Sequence, residues 1–286
     1  MSLHKLLDRI TSPAFESDDL SVDEELDDEV IHELKHDHTY GITSDPLTQF
    51  ASVLSALIHD ADHRGLTNAQ LKKEDPIMTE VYHNKCVAEQ NSLDLCWEAL
   101  MSDEFDTLRN FIYNDEDELR RFRQVLVNSV IATDIFDKEM SSLRKMRWDR
   151  AFQEEKCFTT KDKNRKATIV IEHLIQASDV AHTMQHFDVY KKWNGHLFEE
   201  TYKNYALGKT DKDPAEGWYK GELWFFDNYV IPLTTKLRNC GVFGVSSDEY
   251  LHYALANRKQ WVESGESIVE KFKERCQEKY GTRSEE

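Results

Sequence analysis

The sequence contains little glycine, little proline and no long apolar segment. Only 10 glycines and 5 prolines occur among 286 residues, so turn-forming residues are scarce, which disfavours a sandwich or barrel of many short strands. Nowhere do about 18 apolar residues run together, the length that a membrane-spanning helix needs. We therefore predict no membrane contact by this chain, and the length suffices for one large hydrophobic core.

Basic residues are also outnumbered: 36 lysines and arginines stand against 54 aspartates and glutamates, for a net charge of −18. Such a surface repels a phosphate backbone, so no nucleic acid polymer is expected as a partner. The 5 cysteines show no Cys-x-x-Cys spacing, which argues against a disulfide framework and a thiolate zinc site. They favour a reducing compartment. We predict a cytoplasmic location, or the cytoplasmic face of a membrane if the chain is part of a longer protein.

Apolar residues recur at i, i+3 and i+4 along most of the chain. This pattern predicts an all-α fold, organised as one compact multi-helical domain over residues 1–286. Helices are predicted at residues 3–10, 47–58, 85–100, 104–113, 116–133, 167–182, 188–205, 217–238 and 247–280. Two segments differ from the rest. Residues 15–39 are dominated by acidic side chains and are interpreted as a solvated, partly helical surface insertion, and residues 271–286 form a charged tail that is expected to fray.

The densest group of chemically competent side chains follows the predicted helix 47–58. It contains His59, Asp60, Asp62 and His63 within five residues. A neutral imidazole beside a carboxylate is a typical ligand pair for zinc or another divalent ion. Because no soft ligand accompanies the pair, the site indicates hydrolytic chemistry.

Three other segments place polar groups on apolar helices. Asp179 lies in the apolar segment 171–182, where we expect it to be buried and to need a partner. It is either a metal ligand from a second helix or a capping or ion-paired aspartate. Residues 130–134 end an apolar helix with a hydroxyl and a carboxylate. In residues 222–227 aromatic side chains surround Glu222, which suits a planar base, although ordinary core packing is the alternative.

In order and spacing, these groups resemble the motifs of the catalytic domain of class I 3′,5′-cyclic nucleotide phosphodiesterases. The family's HDxDHxGxxN motif corresponds to residues 59–68, its ATD motif to Ala132-Thr133-Asp134, and its ADxxH-like motif to residues 178–182. Its aromatic FxD clamp corresponds to residues 225–227. The agreement extends over residues 47–264, which we interpret as the core of the domain.

The resemblance implies hydrolysis of the 3′ phosphoester bond of a cyclic nucleotide, cAMP or cGMP, to the 5′-monophosphate. It implies a hydroxide activated by two divalent ions, Zn²⁺ in one site and Mg²⁺ or Mn²⁺ in the other. The implied ligands of the first ion are His59, Asp60 and Asp179. The implied catalytic residues around the second ion and its water are His63, Glu89 and Thr133. The implied nucleotide contacts are Val180, Leu197, Glu222 and Phe225.

The sequence departs from the family pattern in two places. The upstream HNxxHAxxV motif, which supplies a proton-donating histidine and a histidine ligand, is absent. We therefore expect the chain to lack the N-terminal part of the domain, with a regulatory or membrane domain upstream in a longer protein. His4, His32, His36 and His38 are interpreted as surface residues. Glu222 replaces a glutamine, and an ionised carboxylate only accepts hydrogen bonds, so the preference between cAMP and cGMP stays open.

Two alternative functions remain open. A pseudo-phosphodiesterase that binds cyclic nucleotides without turnover agrees with the absent motif. A broader His-Asp metal-dependent phosphohydrolase shares His59 and Asp60 but leaves the ATD segment and the clamp at Phe225 unexplained. A purely structural helical protein explains none of the polar residues on the apolar helices.

Overall fold

The computed structural model describes residues 2–11, 28–152, 159–244 and 247–281. Within these ranges the regular structure is helical and contains no strand, which confirms the all-α prediction. No helix there is both long and apolar enough to cross a membrane. The chain divides into two compact units, residues 1–179 with 240–246 and residues 180–239 with 247–286. A single domain over residues 1–286 stays a prediction.

The first unit contains ten described α-helices. They are α1 (Ser2–Thr11), α2 (Asp28–His38), α3 (Pro46–Ile58), α4 (Asn68–Glu74), α5 (Pro76–Val81), α6 (Val87–Met101), α7 (Asp106–Ile112), α8 (Glu116–Ile131), α9 (Lys138–Phe152) and α10 (Thr160–Asp179). The second unit contains α11 (Phe187–Ala206), α12 (Trp218–Phe225), α13 (Ile231–Asn239) and α14 (Glu249–Tyr280), with a π-helical turn, Phe226–Val230, between α12 and α13.

The predicted helices are confirmed to within a few residues at most ends, apart from an earlier start for α10, while α4, α5 and α9 were not predicted. The first two are short and are separated by Pro76, and α9 buries only Arg144, Trp148 and Ala151, so their apolar periodicity is weak. The predicted surface insertion is helical in α2, which is largely exposed. Its residues 15–27 lie outside the described residues.

Local signals in the sequence explain where the helices around the candidate site begin. Asp45 caps α3 by accepting a hydrogen bond from the Thr48 amide, and Pro46 occupies the first turn, where its missing N–H costs nothing. Thr67 and Gln70 form a reciprocal capping box at the start of α4. The box fixes the point at which the loop after α3 ends.

The buried face of α3 is not the face that carries its large apolar side chains. Leu57 is 80% exposed and Phe50 and Val53 are also exposed, whereas Ala51, Ser52 and Ser55 are fully buried. Small side chains allow α3 to pack closely against α8. The serine hydroxyls remain satisfied there, because Ser52 donates to the Thr48 carbonyl at 2.7 Å and Ser55 to the Ala51 carbonyl at 2.8 Å.

Aromatic side chains dominate the core of the second unit. Tyr190 is fully buried and meets Phe226 at a ring-centroid distance of 5.2 Å and Trp261 at 5.6 Å, both edge to face, a favourable arrangement of ring quadrupoles. The predicted fraying of the tail is wrong for residues 271–280. There α14 continues to Tyr280 and buries Phe272 and Cys276 against the unit, while residues 282–286 lie outside the described part.

Close packing around Gly265 in α14 leads to a stability prediction. A Cβ atom at this position would lie 2.8 Å from the side chains of Trp261 and Tyr219, and Trp261 is fully buried. We expect Gly265→Ala to lower the free energy of unfolding by about 1–3 kcal/mol, measured by urea denaturation. The matched control is Gly221→Ala in α12, where an added Cβ atom would have no packing neighbour within 4 Å beyond the local helix backbone and the adjacent residues. The control should gain about 0.5–1 kcal/mol from helix propensity, and equal changes in both variants would contradict the packing argument.

Candidate metal centre and nucleotide-binding residues

The predicted metal ligands lie at the C-terminal end of α3, as expected. His59 caps the helix, with its amide hydrogen-bonded to the Ser55 carbonyl at 3.0 Å. The chain then turns sharply through Asp62, which has a left-handed φ of 60°. Ser92 of α6 donates to the Ala61 carbonyl at 2.7 Å. This bond attaches the turn to a second helix and restricts the movement of the ligands.

Both predicted carboxylate ligands face His59. Its Nε2 atom lies 3.2 Å from Asp60 Oδ2 and 3.3 Å from Asp179 Oδ1, and its Nδ1 atom lies 3.1 Å from the Ala56 carbonyl oxygen. A histidine whose Nδ1–H donates to a carbonyl presents Nε2 as the ligand atom. The expectation that Asp179 is buried is wrong: its side chain is 32% exposed, because Asp179 is the last residue of α10.

The protonation of His59 and the charges of the two carboxylates depend on one another. Burial lowers the pKa of His59, but hydrogen bonds with Asp179 and Asp60 and the charges of these carboxylates outweigh burial and raise the pKa to about 10. The hydrogen bond from His59 in turn lowers the pKa of Asp60, against the effect of burial. Without a metal, the cluster therefore holds a protonated imidazole between two carboxylates at neutral pH.

The geometry of the cluster fits a divalent ion. The ligand atoms of His59, Asp60 and Asp179 all lie within 4.8 Å of one another. Tetrahedral Zn²⁺ with bonds of about 2.0–2.1 Å places neighbouring ligand atoms about 3.3 Å apart, close to the two separations measured around Nε2. One imidazole and two carboxylates are also a suitable donor set for zinc.

Asn68 connects the predicted second-metal residues to their surroundings. Its Nδ2 atom donates to Glu89 at 2.9 Å and to Asp134 at 3.0 Å, and its Oδ1 atom accepts from the Ala88 amide at 2.9 Å. Burial raises the pKa of Glu89, and the charge of Asp134 adds to this rise against the Asn68 hydrogen bond. Sequence reasoning placed Asn68 in a motif without giving it a role. Its position as the first residue of α4, between the two residues of the capping box, is the available signal.

His63 and Thr133 do not belong to the three-ligand cluster. His63 is exposed, and its Nδ1 atom accepts from the Gly65 amide at 3.2 Å. Thr133 donates to the Val130 carbonyl at 2.7 Å. Gln176 of α10 donates to the Ala132 carbonyl at 2.9 Å, so the helix that carries Asp179 also holds the loop that carries Thr133.

A second group of ligand types, Cys86, Asp134 and Asp137, fits a metal less well. Its ligand atoms also lie within 4.8 Å of one another. Both carboxylates already accept backbone amides, Asp134 those of residues 136 and 137, and Asp137 that of residue 140. Burial, together with Asp134, raises the pKa of the Cys86 thiol to about 12, so the thiol is protonated at neutral pH.

In the second unit, the predicted base contact Glu222 accepts a hydrogen bond from a buried tyrosine. Tyr190 donates to Glu222 Oε2 at 2.7 Å. Burial raises the pKa of Glu222 to about 7, although hydrogen bonds from Tyr190 and Asn194 oppose the rise. Burial and the Glu222 charge raise the pKa of Tyr190, so the phenol remains a donor. The sequence did not indicate Tyr190 or Asn194, because only packing brings α11 and α12 together.

The other predicted nucleotide contacts occupy different environments of the second unit. Phe225 is partly buried and stacks on Tyr229 at a ring-centroid distance of 5.3 Å. Val180 is buried, whereas Leu197 is 50% exposed. His182, the last residue of the motif at residues 178–182, is partly buried with its ring parallel to that of Tyr190 at 6.3 Å.

Comparison with known proteins identifies the family. The family described as 3′5′-cyclic nucleotide phosphodiesterase matches residues 30–241 of this chain. The chain belongs to this family. Its members use divalent metal ions in general, in agreement with the ligand cluster at His59.

Individual phosphodiesterases resemble the chain at low identity. The probable 3′,5′-cyclic-AMP phosphodiesterase pde-4 of Caenorhabditis elegans is 25% identical over 162 residues, 55% of this chain and 23% of that protein. The cGMP-specific 3′,5′-cGMP phosphodiesterase 3 of Dictyostelium discoideum is 21% identical over 231 residues, 78% of this chain and 47% of that protein. The chain thus spans less than half of the length of these relatives.

A solved structure shares the fold. The phosphodiesterase domain of the RhoPDE fusion protein from the choanoflagellate Salpingoeca rosetta superimposes with a TM-score of 0.65 at 23% identity, covering 83% of this chain and 76% of that one.

The raised pKa of His59 predicts that metal binding releases a proton. Because Zn²⁺ needs the neutral imidazole, the apparent zinc affinity of this chain should rise about tenfold per pH unit below the pKa of about 10. Calorimetry at neutral pH in buffers of different ionisation enthalpy should count about one proton released. Asp179→Asn removes one of the carboxylates that raise the pKa of His59, so it should reduce the released fraction. A zinc affinity independent of pH would contradict the assignment.

Proposed function

We propose that this chain hydrolyses the 3′ phosphoester bond of a 3′,5′-cyclic nucleotide, cAMP or cGMP, to the 5′-monophosphate. The observation that supports the proposal is the cluster of His59, Asp60 and Asp179 in a member of this family. The cluster joins the ends of α3 and α10 with a donor set that suits a divalent ion. The relatives named above are described as cyclic nucleotide phosphodiesterases, which favours the cyclic substrate over a linear one.

The first unit would provide the metal-binding residues. His59, Asp60 and Asp179 would hold one ion, proposed to be Zn²⁺, and His63, Glu89 and Thr133 would surround the second, proposed to be Mg²⁺ or Mn²⁺. Two such ions supply Lewis acidity, which lowers the pKa of water and neutralises phosphate charge. Asn68 orients the Glu89 carboxylate by its 2.9 Å hydrogen bond. The same residue restrains Asp134, so it couples Glu89 to the segment that carries Thr133.

The second unit would provide the residues that recognise the base. Phe225 offers a ring face for stacking, with Val180 and Leu197 as apolar contacts. Glu222 would contact the edge of the base. Tyr190 fixes its orientation by donating to Oε2 of the carboxylate, and Asn194 also hydrogen-bonds the carboxylate. A cytoplasmic location and a regulatory or membrane domain upstream in a longer protein stay predictions.

Removal of a metal ligand tests the proposed reaction. We expect His59→Ala to reduce the turnover of cAMP and cGMP by about 100-fold or more with Zn²⁺ and Mg²⁺ present, because loss of even a supporting residue beyond the metal ligands costs about 10- to 100-fold. His252→Ala is the matched control. Its ring pairs with Asp248 at 3.6 Å on the exposed surface of α14, and this variant should keep wild-type turnover. Circular dichroism confirms that both variants are folded.

The same assay separates the alternative functions. Saturable cyclic nucleotide binding by the wild-type chain without turnover would indicate a pseudo-phosphodiesterase. Hydrolysis of linear nucleotides as fast as cyclic ones would indicate a broader His-Asp phosphohydrolase. Either result would refute the proposed reaction.

Glu222 leads to a prediction about base selectivity. With a pKa of about 7, the carboxyl is mostly neutral at pH 6, when it can donate as well as accept, and mostly ionised at pH 8, when it only accepts. We expect the ratio of the specificity constants for cAMP and cGMP to change between these pH values in the wild type. In Glu222→Gln the ratio should differ from the wild-type ratio and stay constant with pH. Glu200→Gln, at an exposed position of α11, serves as the control, and a pH-independent ratio in the wild type would disprove the role.

A further inference from the structure

A groove in the second unit has a charge opposite to that of the whole chain. It runs between α11 and α14 and encloses a cavity of about 750 Å³, within the range of sites for small ligands. Residues of one face of each helix line it, at spacings of three and four residues. Neither Glu222, Phe225, Val180 nor Leu197 is among the lining residues. The groove is therefore separate from the residues proposed to bind the nucleotide base.

Basic side chains of both helices line the groove. Lys191 and Lys192 come from α11, and Lys271 and Arg275 come from α14. This concentration contrasts with the net charge of −18 for the chain. Four cations of like sign in one groove repel one another unless counter-charges are present. Such counter-charges come either from carboxylates of the protein itself or from a bound anion.

The two carboxylates in the groove are already paired. Asp188 lies 2.9 Å from Lys191. Glu199 accepts hydrogen bonds from Lys279 at 2.6 Å and from the Tyr280 hydroxyl at 2.9 Å. In the part of the chain that the structure describes, no ion pair therefore neutralises the other three cations of the groove, Lys192, Lys271 and Arg275.

The apolar floor of the groove positions one of these cations. The Arg275 guanidinium lies over the ring of Phe272 at 5.2 Å from its centroid, an arrangement that orients the planar donor group. Gly195 makes room for this ring, since a Cβ atom there would lie 3.0 Å from Phe272 Cε1. Close packing of α11 and α14 thus places an oriented guanidinium beside the groove lysines.

We propose that the α11–α14 groove binds a multiply phosphorylated anion. Several phosphate groups are needed to neutralise three cations that come from two helices. Arginine and lysine are the side chains that bind phosphate, the guanidinium by paired hydrogen bonds and the ammonium as a point charge. Such a ligand is either a soluble inositol polyphosphate or the headgroup of a phosphoinositide lipid, which share the same chemistry.

Titration with inositol hexakisphosphate, followed by calorimetry on the full chain, tests the proposal. The wild type should bind at a stoichiometry of one, with an affinity that falls as salt is added. Lys271→Gln and Lys192→Gln should each weaken binding about tenfold, the effect of losing one hydrogen bond to a charged group. Both side chains are exposed, so folding should be retained, which circular dichroism verifies.

Matched controls separate this site from other ways of binding an anion. Lys259→Gln removes an exposed lysine of the same helix outside the groove and should leave the affinity unchanged. Asp179→Asn alters the metal cluster and should also have no effect. The proposal is overturned if the wild type does not bind at low salt, if Lys259→Gln weakens binding as much as Lys271→Gln, or if Asp179→Asn abolishes it.

A vesicle experiment distinguishes the two sources of the anion. Phosphatidylcholine vesicles with and without phosphatidylinositol 4,5-bisphosphate are sedimented with the chain. Phosphoinositide-dependent sedimentation that Lys271→Gln reduces supports the lipid headgroup as the source. Binding of the soluble polyphosphate with no such sedimentation supports the free anion. Vesicle binding that does not change in Lys271→Gln counts against the groove.

Discussion

Two carboxylates that converge on one imidazole are the constraint on which the candidate site depends. Asp60 and Asp179 would repel each other, so their approach requires a positive charge between them, either the proton on His59 or a metal ion. Since one carboxylate follows α3 and the other ends α10, the charge also fixes how these two helix ends meet. The same group of atoms therefore contributes to the arrangement of the first unit and to its proposed chemistry.

Side chains outside the metal ligands maintain this arrangement. Ser92 holds the turn after α3, Gln176 holds the loop after α8, and Asn68 joins α4 to Glu89 and Asp134. Each of these bonds joins a side chain to a different segment of the chain. Precise metal sites require such supporting contacts, because ligands on loops otherwise lose their orientation.

The sequence predicted the family, the all-α fold, most helix positions and the cluster of His59, Asp60 and Asp179. These follow from apolar periodicity and from short motifs, both of which are local. The exposed face of α3 was not predictable, because the burial of Ala51 and Ser55 depends on how closely α8 approaches. Tyr190 was missed for a similar reason, since its role depends on a contact with Glu222 across 32 residues. The buried end of α14 shows that a charged segment is ordered when it supplies a few apolar anchors to another helix.

The π-helical turn after α12 determines how this segment responds to a change in its length. A π-turn accommodates one residue more than the regular helix around it, and here it separates Phe225 from α13. Deletion of one residue within Phe226–Val230 would restore regular α-helix. The widened turn absorbs the extra residue, so Phe225 and α13 keep nearly the relative orientation that they would have in an uninterrupted α-helix one residue shorter. A one-residue change in the length of this segment is therefore absorbed within the turn and is not transmitted to α13.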